Sequence, residues 1–283
     1  MQQGKFGFAA LSLSVTVRVL YGCFAQEGST LCARTLLLQG GAATLLLAAS
    51  AVLVTAVEQA SGLLIRTDGA ARAVQTAFFL WFAVELGYTI VQAHTICRQE
   101  FLSSALLGVL PLLVLLLWNT QPAAYDRAAR MLWWLLFLGA LIAAVGLLGR
   151  MDWKNLAFQT ESSARTVPNV WLFPEYFALP LLTDRGQCKK AVALPIWAFI
   201  LQAGFALGAE MIFGAAGTGY SGFEILRVWS VGVFSRVDAL LLMLWLMAAL
   251  YRIGFLLAVL QVLGQRILGI QVKQKEGNAW EIK

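Results

Sequence analysis

Long apolar runs separated by short polar stretches make up almost the whole chain. Eight such runs are legible, at 6–24, 35–57, 74–96, 101–118, 128–149, 170–182, 191–213 and 237–263. A helix needs about 20 apolar residues to cross the roughly 30 Å of bilayer hydrocarbon. The second, third, fifth, seventh and eighth runs meet that length plainly. The first is interrupted by Arg18. The fourth is short but intensely apolar, reading Leu-Leu-Val-Leu-Leu-Leu at 112–117. The sixth is too short to span as a regular helix and contains Pro174 and Pro180. Continuous runs without period-two alternation argue against a barrel. Backbone groups in lipid must be hydrogen-bonded within their own segment, which leaves the helix. The pattern predicts an all-α polytopic membrane protein of about eight transmembrane segments in a single membrane domain over 1–283, with a cytoplasmic tail at 264–283. The first run follows Lys5, contains Arg18 and ends without a clean small-x-small cleavage site, so it reads as a membrane helix and not as a signal peptide.

Composition strengthens this reading. Charged residues make up 13% of the chain, hydrophobic residues 60%, and the mean hydropathy is +0.75. A soluble domain carries roughly 25% charged residues, so the solvent of this chain is largely lipid. The net charge of +6 does not point to nucleic acid, because the basic residues lie in short loops and form no contiguous face. With the N-terminus in the cytoplasm, twelve loop Lys and Arg fall inside and seven outside. The positive-inside rule therefore predicts that both termini are cytoplasmic. Two loops are distinctive. The stretch 152–168 is polar and precedes the short sixth run. The stretch 214–236 begins Gly-rich and holds 223–229, an expected interfacial helix with Trp229 at headgroup level.

Candidate chemistry lies in ionisable residues within the runs, which are costly in lipid and mark functional sites by default. Glu85 is near the middle of the third run. Tyr88 and Gln92 follow at i+3 and i+7, on the same helical face. That face either lines a cavity or forms a buried interhelical hydrogen-bond cluster. Arg252 is near the middle of the eighth run, too deep to snorkel easily, and calls for a partner: a carboxylate, Glu85 first or Glu210, or the freed carbonyls of the broken sixth run, the second candidate. Arg18 is expected to snorkel outward. Glu210, near the end of the seventh run, has the interface within reach, and His94 reads as an interface residue. The sixth run places Glu175 directly after Pro174 and before Tyr176. A proline there frees backbone carbonyls, and broken membrane helices line substrate sites in secondary transporters. The expectation is a non-helical or sharply kinked stretch at 173–177, lining a cavity with the first segment. Cys23, Cys32, Cys97 and Cys188 form no CxxC pair, and the lone His offers no metal site. Cys23 and Cys32 flank the first loop and read chiefly as small apolar residues at helix ends. No nucleotide-binding loop, nucleophile elbow or HExxH is present. No catalytic residue, metal or cofactor is therefore assigned, and the chain reads as a non-enzyme.

Three stretches together carry a family resemblance. The fifth run is entered through Tyr125-Asp-Arg-Ala-Ala-Arg130 and left through Arg150-Met-Asp-Trp-Lys-Asn-Leu156. The sixth holds Pro174-Glu175 and is followed by a basic loop at 185–190. The last reads Phe223-Glu-Ile-Leu-Arg227, then Arg236-Val-Asp238, Trp245 and Tyr251-Arg252. In this order and spacing, over roughly 5–270, the chain resembles the membrane-permease (B) subunit of spore germinant receptors, within the amino acid–polyamine–organocation transporter superfamily. The resemblance implies a partial inverted-repeat permease-like bundle in the inner membrane of a spore, beside larger A and lipoprotein C subunits. It also implies that a small germinant, an amino acid or nucleoside, binds between broken first and sixth helices. The first run departs from the family in lacking Gly-x-Gly, with Val17-Arg18-Val19 near that place, and the eight runs compare with ten family segments. The functional expectation is a germinant-sensing subunit. The alternatives are a secondary amino acid transporter and a ligand-free structural subunit of a complex.

Overall fold

The computed structural model describes residues 5–25, 36–62, 68–101, 105–117, 120–156, 172–183, 190, 192–214 and 237–268. Among these there are eight α-helices and no strand. They are α1 (Phe8–Ala25), α2 (Gly41–Ser61), α3 (Gly69–Phe101), α4 (Ala105–Leu117), α5 (Pro122–Leu148), α6 (Pro174–Leu182), α7 (Ala193–Phe213) and α8 (Val237–Ile267). A π-helical turn, Leu36–Gly40, leads into α2, and a 3-10 turn, Trp153–Leu156, follows α5. Five helical stretches are long and apolar enough to cross a membrane: Leu36–Ser61, Gly69–Gln99, Pro122–Leu148, Ala193–Phe213 and Leu240–Ile267. The molecule is an all-α polytopic membrane protein.

Each apolar run is overlapped by a helix, and the bounds differ by local chemistry. The third run extends at both ends into a 33-residue helix, longer than the hydrocarbon needs. The fourth shrinks to thirteen residues with Pro111 inside. Helix α2 ends at Gly62, whose φ of 61° is the left-handed conformation that glycine adopts without strain; its N–H donates to the Glu58 carbonyl at 2.8 Å. Helices α5 and α6 both open on proline, where a fixed φ and a missing N–H cost nothing. The 3-10 turn is tied to the end of α7, because the Asp152 N–H and the Asn155 side-chain amide both donate to the Met211 carbonyl, at 3.1 and 3.0 Å. Cys23 and Cys97 are free, buried thiols. Cys32 and Cys188, the expected interfacial helix at 223–229 and the tail beyond 268 lie outside the described residues.

Helix α1 is the axis of the bundle. Every residue from Ala10 to Val19 is buried, and the helix contacts α3, α5, α6, α7 and α8. A helix buried on all sides lies at the centre of an assembly, and its Ser12, Ser14, Thr16 and Arg18 are therefore buried as well. One side of α1, with Leu13, Val17 and Tyr21, joins an apolar cluster with α3, α5 and α8. The other, with Val15 and Val19, joins a cluster with α2, α6 and α7. Helix α8 runs antiparallel to α1: Phe6 meets Phe255 edge-on at 5.2 Å, and Tyr21 meets Trp245 at 4.9 Å. Large apolar side chains on α5, among them Trp134, Phe137 and Leu138, are exposed, as a lipid-facing surface requires.

Candidate functional site

Helix α6 has only nine residues, a rise of roughly 13 Å at 1.5 Å per residue. Its last residue is level with the start of α1, since the Phe6 N–H donates to the Leu182 carbonyl at 2.8 Å. Its beginning is level with Arg18, past the midpoint of α1: the Phe173 ring lies 5.6 Å from the Arg18 guanidinium. The N-terminus of a half-length helix therefore sits inside the bundle. The break falls at Phe173, which is extended at φ −99° and ψ 136°. The stretch from Pro174 to Phe177 is helical, which corrects the expectation of a non-helical 173–177; proline at the first helical position starts a helix instead of interrupting one.

At that N-terminus four charges meet. Arg252 of α8 is completely buried. Its Nη1 lies 3.0 Å from Glu175 Oε1 and donates to Ser14 Oγ at 2.9 Å and to the Ser14 carbonyl. Its Nη2 donates to Glu85 Oε2 at 3.2 Å, and its Nε to Thr89 Oγ1 at 3.3 Å. Arg18 Nε donates to the same Glu85 oxygen at 3.0 Å. The Ser14 hydroxyl donates to Glu175 Oε1 at 2.8 Å. Two guanidinium groups and two carboxylates thus sum to zero charge. Burial of ions is tolerable only when they are paired and hydrogen-bonded in this way. Glu175, in the first turn of α6, also gains from the positive end of the helix dipole. Its Oε2 is buried with no hydrogen-bond partner among the described residues.

Arg252 has the carboxylate partner expected of it, Glu85, together with Glu175. Glu210 is half-buried near the end of α7, where its carbonyl accepts the Gly214 N–H, and is not among Arg252's carboxylate partners. Arg18 does not snorkel outward. It is held inside by Glu85 and by the Tyr88 ring, 3.9 Å from the guanidinium. The reason is that α1 is enclosed, so no path along it reaches water. Gln92 is half-buried and stands outside the network, as does His94. Two members were missed in the sequence, Ser14 and Thr89. Each lies four residues from a charged member of the network on its own helix, Ser14 before Arg18 and Thr89 after Glu85, and that spacing was the available signal.

A small cavity lies on the other side of α6. It measures about 20 Å³ and is lined by Gly40, Thr44 and Leu47, by Phe173 and Tyr176 of α6, and by α7 residues including Gln202. It borders α2 and α7 and not α1, which corrects the expected wall. Gln202 is 6% exposed, and its amide nitrogen has no hydrogen-bond partner among the described residues. A space this size admits about one water. Gln202 is a polar residue within an otherwise apolar run, the feature by which Glu85 was found. No family model, curated protein or solved structure matches the chain.

Proposed function

We propose that the protein is a permease-like membrane subunit that senses a small nutrient germinant, an amino acid or nucleoside, as the B subunit of a spore germinant receptor does. One observation carries this reading: the half-helix α6, whose buried N-terminal Glu175 is bonded to α1 and α8, with Arg252 linking onward to α3. A half-helix that begins inside a bundle places the positive end of its dipole and its first-turn side chains where a polar ligand can meet them. Motion of α6 would have to break the Arg252–Glu175 pair, so ligand contact there is transmitted to α1, α3 and α8 together. The Gln202 amide, in the water-sized cavity beside Tyr176, is the polar contact that a ligand would gain as α6 moves and the cavity widens. In this reading the protein works in the spore inner membrane with A and C type subunits, with both termini in the cytoplasm.

The test is a deletion in an endospore-forming host, complemented by the wild-type chain or by Tyr176→Ala. Wild type should restore germination to a defined nutrient. Tyr176→Ala should reach the membrane in equal amount and shift the nutrient dose response by tenfold or more. Unchanged germination in the deletion strain would remove the proposal. A second reading, ion-driven amino acid transport, is favoured by Glu175 Oε2, a buried oxygen with no hydrogen-bond partner among the described residues and so open to a coupling ion. Uptake of labelled amino acid by proteoliposomes under an imposed gradient would select it, and binding without uptake would reject it.

A further inference from the structure

The entry to α5, with Asp126 and Arg130, plays no part in the charge network, yet it builds a second concave site. Gly7 lies just before α1, and Asp126 and Arg130 lie in the first turns of α5. Lys190 stands just ahead of α7. Together they border an open cavity of about 320 Å³. That volume lies within the range of pockets that hold small ligands, about 300–1,000 Å³. Asp126 accepts from Arg130 through Oδ2, which holds the guanidinium in place although its side chain is 70% exposed. A Cβ at Gly7 would collide with the Asp126 carboxylate; glycine there lets the carboxylate lie against the start of α1. Lys190 Nζ lies 5.3 Å from the Phe8 ring centroid, a cation–π contact that orients the second charge. Two cations face one carboxylate, and the helix N-termini of α1, α5 and α7 add positive partial charge at the same end.

We infer that this cavity binds the phosphodiester headgroup of an anionic phospholipid. Its position decides between a lipid and a soluble phosphate. Helix ends converge here, so the cavity lies where hydrocarbon gives way to headgroups. Beside Arg130, Met131 is 71% exposed and Trp134, one turn on, is 74% exposed. An acyl chain lies along that face while the phosphate reaches Arg130 and Lys190. Basic pockets between membrane helices bind anionic headgroups in this manner, each Lys or Arg strengthening the attraction about fivefold. The inference is independent of the germinant reading, because it concerns one end of the bundle and a different set of residues.

The test uses the full chain, purified and delipidated in detergent, then titrated with phosphatidylglycerol, phosphatidylcholine or inorganic phosphate. Bound lipid is counted by native mass spectrometry, and thermal stability is followed in parallel. Phosphatidylglycerol should be retained and should raise the melting temperature, while the other two do neither. Lys190→Gln should lower phosphatidylglycerol affinity about fivefold, and Lys190→Gln with Arg130→Gln about thirtyfold. Arg150→Gln with Lys154→Gln, basic residues at the far end of α5, should leave it unchanged. Lys190 is exposed and does not support the core, so the single variant keeps the test decisive if the double variant folds poorly. Equal retention of phosphatidylcholine, protection by inorganic phosphate alone, or an unchanged affinity in Lys190→Gln would each overturn the inference.

Discussion

Arg252 donates from all three of its nitrogens, and its carboxylate partners are not equivalent. Glu85 is shared with Arg18, whereas Glu175 is paired with Arg252 alone among the described residues. Removing Arg252 therefore strands Glu175. Arg252→Leu should destabilise the protein by about 3–5 kcal/mol, the usual cost of breaking a buried pair. Adding Glu175→Leu should recover much of that loss, because Arg18 and Glu85 remain matched. Adding Glu85→Leu should not, since it leaves Arg18 and Glu175 both uncompensated. Unfolding of the three variants in detergent micelles, followed by circular dichroism, checks the order. Gln202 is the converse case. A buried donor without a partner costs about 1–3 kcal/mol, so Gln202→Leu should raise stability by an amount in that range in the same assay. A loss of stability would mean that the amide is satisfied by a bound water.

Helix α6 was legible as a short run with two prolines, and its chemistry as Glu175. Its starting point was not. A proline in sequence reads equally as a kink or as a first residue, and the choice here follows the extended Phe173 and the burial of the following turn. Helix packing gives a second case. A Cβ on Gly139 of α5 would come within 2.8 Å of Leu244 and 3.2 Å of Leu241 on α8, whereas Gly87 of α3 faces open space. Both are glycines inside apolar helices. Gly139→Leu should cost about 1–3 kcal/mol by forcing α5 away from α8. Gly87→Ala should gain as much as about 1 kcal/mol from helix propensity. Thermal unfolding of the two variants beside wild type measures both, and equal shifts would show that α5 and α8 do not meet at Gly139.

At the level of the whole molecule, the exposed apolar faces and the buried charges invert the arrangement of a soluble protein. Lipid replaces water on the outside, so charge is affordable only inside, where partners are fixed. The positive-inside rule, applied to twelve loop Lys and Arg against seven, predicts cytoplasmic termini, an expectation open to direct test. A cytoplasm-active reporter fused at residue 283 should be functional, and an export-dependent one should be silent; the reverse pattern would invert the orientation.

Composition and run length alone determined that this is an all-α membrane protein. Both depend on how much apolar side chain each segment must hide, and that is a sum over residues. The cost of an ion in lipid is likewise a property of the residue, so Glu85, Glu175 and Arg252 stood out before any fold was known. The inward course of Arg18, the choice of Glu175 as partner and the place of Gln202 beside α6 came only with the tertiary structure. Each depends on which helix is enclosed by the others. An enclosed α1 leaves Arg18 no route to water, and the pairing of four charges follows from the distances between helices far apart in sequence.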